Sequence, residues 1–154
     1  KYGNTISVLD WAAPQLYGLM RCGELKSDYE IENNFEYDIC MKFRFDMLIN
    51  SSDFDEIVEN IKIPLNEQTI YSMHSKNTDH FPFELVGDIF FMSDSQTYNI
   101  LSSFYNWLPT LNFSLFDYSL KIEEIFGYYI RMFKINNIRI NIDPKIIRKK
   151  YNLK

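Results

Sequence analysis

The sequence predicts an α/β domain, with a mixed or mostly parallel sheet flanked by helices. Two observations carry that class. Stretches that read as strands, the clearest with period-two alternation at 37–49, alternate along the chain with stretches of helical period. Apolar residues make up 46% of the 154 positions and aromatics 17%, which supports one packed core and excludes disorder. Residues 1–142 read as a single domain and 143–154 as a basic, weakly structured tail.

Residues 10–34 read as a helix. Asp10 can cap it, Pro14 falls in its first turn where a missing N–H costs little, and Ala13, Leu16, Tyr17 and Met20 keep helical spacing. Asn33 and Asn34 end it. Residues 37–49, YDICMKFRFDMLI, then alternate. Tyr37, Ile39, Met41, Phe43, Phe45, Met47 and Ile49 are apolar, while Asp38, Cys40, Lys42, Arg44 and Asp46 occupy the other register. That is the pattern of a strand with a buried odd face and a file of charges on the even one.

Residues 51–61 predict a short helix capped by Ser52, with Asp53, Asp55 and Glu56 near its positive end. A short strand at 69–73, a loop at 74–86 and a strand at 87–93 follow. Ser93 and Gln96 make a capping box for a helix with Leu101, Phe104, Tyr105 and Leu108 on one face, closed by Pro109. The clearest helical stripe is Ile122, Ile125, Phe126, Tyr129, Met132 and Phe133. A final strand falls within 136–142.

The charge balance, 16 basic against 21 acidic residues for a net −5, argues against a protein that coats nucleic acid. Cys22 and Cys40 have neither metal-ligand spacing nor a disulfide framework, so they read as two reduced thiols in a cytoplasmic protein. No apolar run approaches the roughly 18–20 residues needed to cross a bilayer, and no secretory leader pattern is visible. The tail residues Lys145, Arg148, Lys149, Lys150 and Lys154 read as a solvated terminus, with an anionic membrane surface as the alternative contact. Dinucleotide, Walker, serine-hydrolase and zinc-finger motifs are all absent.

Lys42, Arg44 and Asp46 are the first candidates for chemistry. A solvated strand face would explain them, but Asp46 sits near the carboxyl end of a strand, the edge at which α/β sheets bind ligands. Glu123 flanks the apolar stripe of the third helix and can serve as a general base. Glu124 falls nearly opposite that stripe, as an acid complementing the helix dipole. Asp88 opens the 87–93 strand. His74, Asp79 and His80 match no standard metal-ligand spacing.

The order YEIENNFEYDICMKFRFDMLI, followed by IYSM, GDIFFMSDSQTYNILSSFY and KIEEIFGYYIRMFKINNIRI, resembles a group of bacterial and viral glycosyltransferase-like proteins of GT-A type. That group includes the WavE-like lipopolysaccharide-synthesis proteins. Tyr37, Asp38, Lys42, Arg44 and Asp46 match its Tyr-Asp and Arg-x-Arg-x-Asp strand, with lysine for the first arginine. The resemblance spans about residues 10–142. It implies a nucleotide-sugar donor bound by Lys42, Arg44 and Asp46, a glycan or lipid-linked acceptor, Asp88 orienting sugar or acceptor, and Glu123 as base. It also implies a Mn²⁺ or Mg²⁺ at Asp46. The usual Asp-x-Asp is replaced by Arg44-x-Asp46, however, so Arg44 taking the metal's part is the open alternative.

Nothing before residue 10 looks like the nucleotide-holding strand that starts such a domain, so the expectation is the sugar-side part. A non-catalytic glycan-binding or structural domain is the second reading. A metal-dependent nuclease is the third, weakened by the lack of a second acid close before Lys42.

Overall fold

The computed structural model describes residues 3–44, 46–61, 65–74, 86–111, 122–140 and 145–146. Helix α1 (Gly3–Asn33) leads into strand β1 (Cys40–Phe43), a turn and the two-residue strand β2 (Met47–Leu48). Helix α2 (Ser51–Asn60), strands β3 (Thr69–His74) and β4 (Val86–Ser93), and helices α3 (Ser95–Ser102) and α4 (Phe104–Trp107) follow. A 3-10 helix (Leu108–Thr110), helix α5 (Ile122–Met132), strand β5 (Asn136–Ile140) and strand β6 (Lys145–Ile146) complete the described elements.

The main sheet is open, mixed and four-stranded, in the order β1-β4-β3-β5. β4 runs antiparallel to both β1 and β3, and β5 is parallel to β3. Strands β1, β3 and β5 therefore all point the same way. A register shift between β3 and β4 falls between the pairs Ser72–Phe91 and His74–Val86. β2 and β6 form a separate ribbon, with Met47 opposite Ile146 and Leu48 opposite Lys145. Lys145 and Ile146, expected to lie in the weakly structured tail, are thus strand residues.

The sheet is packed on both faces. Cys40, Ile70 and Phe91 meet α1, α3, α4 and α5 in the larger core, where Phe91, Phe104, Phe126 and Tyr129 form a continuous aromatic stack. On the other face Tyr71, Met73, Phe90 and Met92 pack with Ile57 of α2 and Leu65. The Tyr129 hydroxyl, deep in the first core, donates to the Ile100 carbonyl at 2.7 Å and lies 2.9 Å from Ser103 Oγ. Burial raises its pKa against the lowering effect of the Ser103 hydrogen bond.

Several sequence expectations change in detail. α1 begins seven residues before Asp10, so Pro14 lies inside it. Ala12, Leu16 and Leu19 of the same helix are buried in the core, and that packing holds the helix through the proline. The end at Asn33–Asn34 is as expected: Asn34 adopts φ 53° and the Phe35 N–H returns to the Glu30 carbonyl at 3.2 Å.

Asn50, not Ser52, is the N-cap residue of α2. Ser93 is still in β4, and Asp94 caps α3, accepting from the Thr97 N–H at 2.8 Å and the Thr97 hydroxyl at 2.6 Å. The helix expected to run unbroken to Pro109 is interrupted at Ser103, between α3 and α4. The expected loop at 74–86 lies outside the described residues except for His74 and Val86, which are the ends of β3 and β4.

The largest change concerns residues 37–49. Of these residues Cys40–Phe43 join the main sheet, and beyond them the Met47 N–H bonds the Arg44 carbonyl at 3.2 Å. On β1 itself the faces are also exchanged, although Ile39, Met47 and Ile49 on either side of it pack on the second core as the alternation predicts. Cys40 and Lys42 pair with Ser93 and Phe91, so they share the helix-covered face. Met41 and Phe43 oppose Met92 and Phe90, and they remain 43% and 57% exposed. β1 is an edge strand, and the core on that face centres on β3 and β4, away from the odd side chains of β1.

Candidate functional site

Because β1, β3 and β5 run in one direction, their carboxyl ends share one edge of the sheet, and antiparallel β4 begins there. α5 begins there too. Ile122 and Phe126 of its first turns line a small cavity with Lys42 and Phe91, whereas Ile130 and Arg131 at its other end line a cleft with Asn136 and Asn137, where β5 starts. The topology thus brings the end of β1, the start of β4 and the N-terminus of α5 to the same edge. Those are the places of Arg44 and Asp46, of Asp88, and of Glu123 and Glu124. From Arg44 to Glu124 these residues lie 80 positions apart in sequence, and the sheet order is what brings the elements that carry them to one edge.

Arg44 and Asp46 straddle the turn that leaves β1. Arg44 Nε donates to Asp46 Oδ1 at 2.9 Å and Arg44 NH2 to Oδ2 at 2.7 Å, a two-point fork with both side chains about 30% exposed. The planar guanidinium matches a carboxylate in this way, and a phosphate equally well. Lys42 diverges from them. Its Nζ lies 6.0 Å from the Phe91 ring centroid, on the helix-covered side, so the three residues do not form a single file on a solvated face.

Asp88 occupies the stretch of β4 next to the register shift, and that irregularity marks where the regular ladder ends. At α5 Glu123 keeps its expected place at the flank of the apolar stripe, whereas Glu124, expected opposite it, is enclosed. Glu124 is only 6% exposed and Glu123 is half-buried. The wheel fails because α5 is buried round most of its circumference: Ile125, Phe126, Gly127, Tyr129 and Ile130 are all buried with Glu124. Among the described residues, no three His, Cys, Asp or Glu side chains come together as a metal-binding group. Asp79 and His80 lie outside the described residues, as do Arg148, Lys149, Lys150 and Lys154 of the basic tail.

A second polar cluster, which the sequence patterns did not point to, sits at the opposite edge. Lys26 Nζ pairs with Glu30 Oε2 at 2.8 Å, with side chains 10% and 8% exposed. Glu30 Oε1 accepts from Ser95 Oγ at 2.7 Å and from the Tyr37 N–H at 2.9 Å. Lys26 also bonds Ser95 Oγ and reaches Asn99 Oδ1 at 3.0 Å. Burial pushes the Glu30 carboxyl upward, and the bonds from Lys26, Tyr37 and Ser95, together with the Lys26 charge, outweigh it, leaving the pKa lowered.

The i, i+4 spacing of Lys26 and Glu30 was legible, but an exposed i, i+4 pair has the same spacing. Only docking against α3 distinguishes the two. Every charge in this cluster has a partner, and its role is to tie α1 to α3 and to the entry of β1.

No protein-family model, no curated protein and no solved structure matches this chain. Among the described residues no helix is long and apolar enough to cross a membrane.

Proposed function

We propose that this chain is a glycosyltransferase-like domain, transferring a sugar from a nucleotide-sugar donor to a glycan or lipid-linked acceptor at the carboxyl edge of its sheet. The observation that carries this reading is the convergence there of the Arg44–Asp46 fork, the opening of β4 with Asp88, and the N-terminus of α5 with Glu123. Ligands of open α/β sheets bind outside the carboxyl ends of the strands. A guanidinium poised on a strand-end turn is the group a diphosphate needs there.

In the transfer, the acceptor hydroxyl oxygen bonds to the anomeric carbon of the donor sugar. The bond from that carbon to the phosphate oxygen breaks, and the nucleoside diphosphate leaves with the electron pair. The hydroxyl proton passes to a carboxylate. Glu123 takes that role, because it is the acid of α5 that keeps some access to solvent while Glu124 is enclosed. Arg44 meets the charge developing on the leaving diphosphate, an interaction that grows as the bond breaks and so lowers the barrier. Asp46 holds the guanidinium in place and offers an acceptor for sugar or ribose hydroxyls. Asp88 orients sugar or acceptor.

The residues fit a divalent cation at Asp46 poorly. Both carboxylate oxygens already accept from Arg44, and a guanidinium within hydrogen-bonding distance repels a second cation. Arg44 therefore supplies the neutralising charge, and no step here runs through a metal.

The test is the melting-temperature shift on adding UDP-, GDP- and CMP-sugar conjugates, each with and without Mn²⁺. A ligand at 100 times its Kd stabilises the fold by about 2.7 kcal/mol. A shift with one donor class that is independent of Mn²⁺ and lost in Arg44→Ala supports the reading. A shift that appears only with Mn²⁺ and is lost in Asp46→Asn transfers the charge role to a metal. Absence of any shift refutes nucleotide-sugar binding by this chain.

A further inference from the structure

We propose that the cleft between α1 and the free edge of β1 is a saccharide-binding subsite that holds the acceptor glycan at a distance from the transfer site. It is about 500 Å³ in volume, and its walls include Tyr29 and Leu25 of α1, Tyr37, and Ile39 and Met41 at and beside the edge strand. Tyr29, Phe35 and Tyr37 form a ladder of edge-to-face rings, with centroids 5.8 and 4.8 Å apart. All three rings are substantially exposed, at 52%, 39% and 39%. Tyr37, Ile39, Met41 and Phe43 are the alternating apolar positions of the sequence, and in the fold none of them is fully buried. Ile39 packs partly on the second core, and Tyr37, Met41 and Phe43 stand 39%, 43% and 57% exposed around the start and edge of β1, an apolar surface that calls for an occupant.

The choice of a glycan rests on two features. The first is chemistry. A neighbouring cleft of about 550 Å³ runs past Phe35 and is lined by neutral and acidic hydrogen-bonding groups, Ser27, Asn34, Glu36 and Asn99. Ring faces beside hydroxyl, amide and carboxylate groups match the apolar faces and hydroxyl rims of a sugar. The second is continuity. The cleft lies at the start of β1 and the Arg44–Asp46 fork at its end, so an extended chain lying along the exposed side chains of Met41 and Phe43 would join them. Four strand residues span about 10 Å, a reach of a few sugar units.

This inference rests on the transferase reading for the word acceptor, and the experiment separates the two. Chitotetraose, cellotetraose and maltotetraose are each titrated to 10 mM into the labelled full chain, following backbone and aromatic NMR shifts. The expected result is saturable shifts centred on Tyr29, Phe35 and Tyr37 with at least one tetrasaccharide. Affinity should then fall about tenfold or more in Tyr29→Ala/Tyr37→Ala, from loss of two stacked rings. An unchanged melting temperature of the double variant shows that folding is not the cause.

No shifts at these residues with any of the three sugars overturns the subsite, as does affinity insensitive to the two tyrosines. Shifts at the same rings that depend on protein concentration in the absence of sugar also overturn it, in favour of self-association. Sugar binding here without any nucleotide-sugar effect sustains the subsite and defeats the transferase reading instead.

Discussion

Replacing Glu30 by alanine should cost about 3 kcal/mol of stability, the lower end of the 3–5 kcal/mol range for breaking a buried ion pair from one side. The lower end applies because Lys26 keeps Asn99 and Ser95 as partners, so its buried charge is not wholly uncompensated. The cost has two parts. Lys26, with its side chain only 10% exposed, loses its carboxylate, and the Ser95 hydroxyl and Tyr37 N–H lose their shared acceptor. Glu30→Gln keeps an acceptor in place and should cost about 1–2 kcal/mol, the worth of charge assistance to the hydrogen bonds.

Removing both charges together, Lys26→Met with Glu30→Leu, should be close to neutral. Buried pairs replaced by apolar residues of similar size often are. Urea unfolding at pH 7 with unchanged m-values measures all three. A loss below about 1 kcal/mol for Glu30→Ala would refute the reasoning, since that is the behaviour of a solvent-screened surface pair.

The same carboxylate fixes the sign of a pH effect. Its folded pKa lies below the unfolded value of 4.5, so its contribution is fully present above about pH 4.5 and is lost as pH falls through the lower folded value. Wild type should therefore lose more stability than Glu30→Gln on acidification below that point.

Two glycines of α1 predict opposite outcomes for one substitution. A methyl at Gly23 would overlap Cβ and Oγ of Ser102 in α3, so Gly23→Ala should destabilise by about 1–2 kcal/mol despite its better helix propensity. Gly18 has open space at the same atom, and Gly18→Ala should stabilise by about 0.5–1 kcal/mol. Thermal or urea unfolding of the pair checks both, and equal signs would contradict the close approach of α1 and α3. The thiols should differ as well. Cys40 is buried, and desolvation pushes its pKa to about 11, while Cys22 is exposed. A maleimide titration of native protein at pH 7.5 should count one fast thiol, rising to two in urea.

Much of the secondary structure was legible in the sequence because it depends on local pattern. The stripe of Ile122, Ile125, Phe126 and Tyr129 is a helix with that face buried, although Met132 and Phe133, the last of the expected stripe, are 57% and 42% exposed, and the expected strands at 69–73 and 87–93 are strands. Residues 37–49 were misread for a reason equally physical. Alternation shows that two faces differ in polarity but carries no information on which face another layer will cover. An edge strand four residues long is covered from the side where its even residues happen to pair, beside Phe91 and Ser93. Glu124 was placed on the open side of α5 for a related reason. A helical wheel assumes one buried side, whereas α5 is enclosed over most of its girth.

The alternating class of the fold, the helix end at Asn34 and the chemical character of the candidate residues were determined by the sequence alone, since each depends on residues within a few positions of one another. The strand order β1-β4-β3-β5 was decided by tertiary structure. That order alone brings Arg44, Asp46, Asp88 and Glu123 to one edge and leaves Tyr29, Phe35 and Tyr37 open at the other. Neighbours of that kind depend on which surfaces bury most apolar area together, a property of the whole chain that no local window contains.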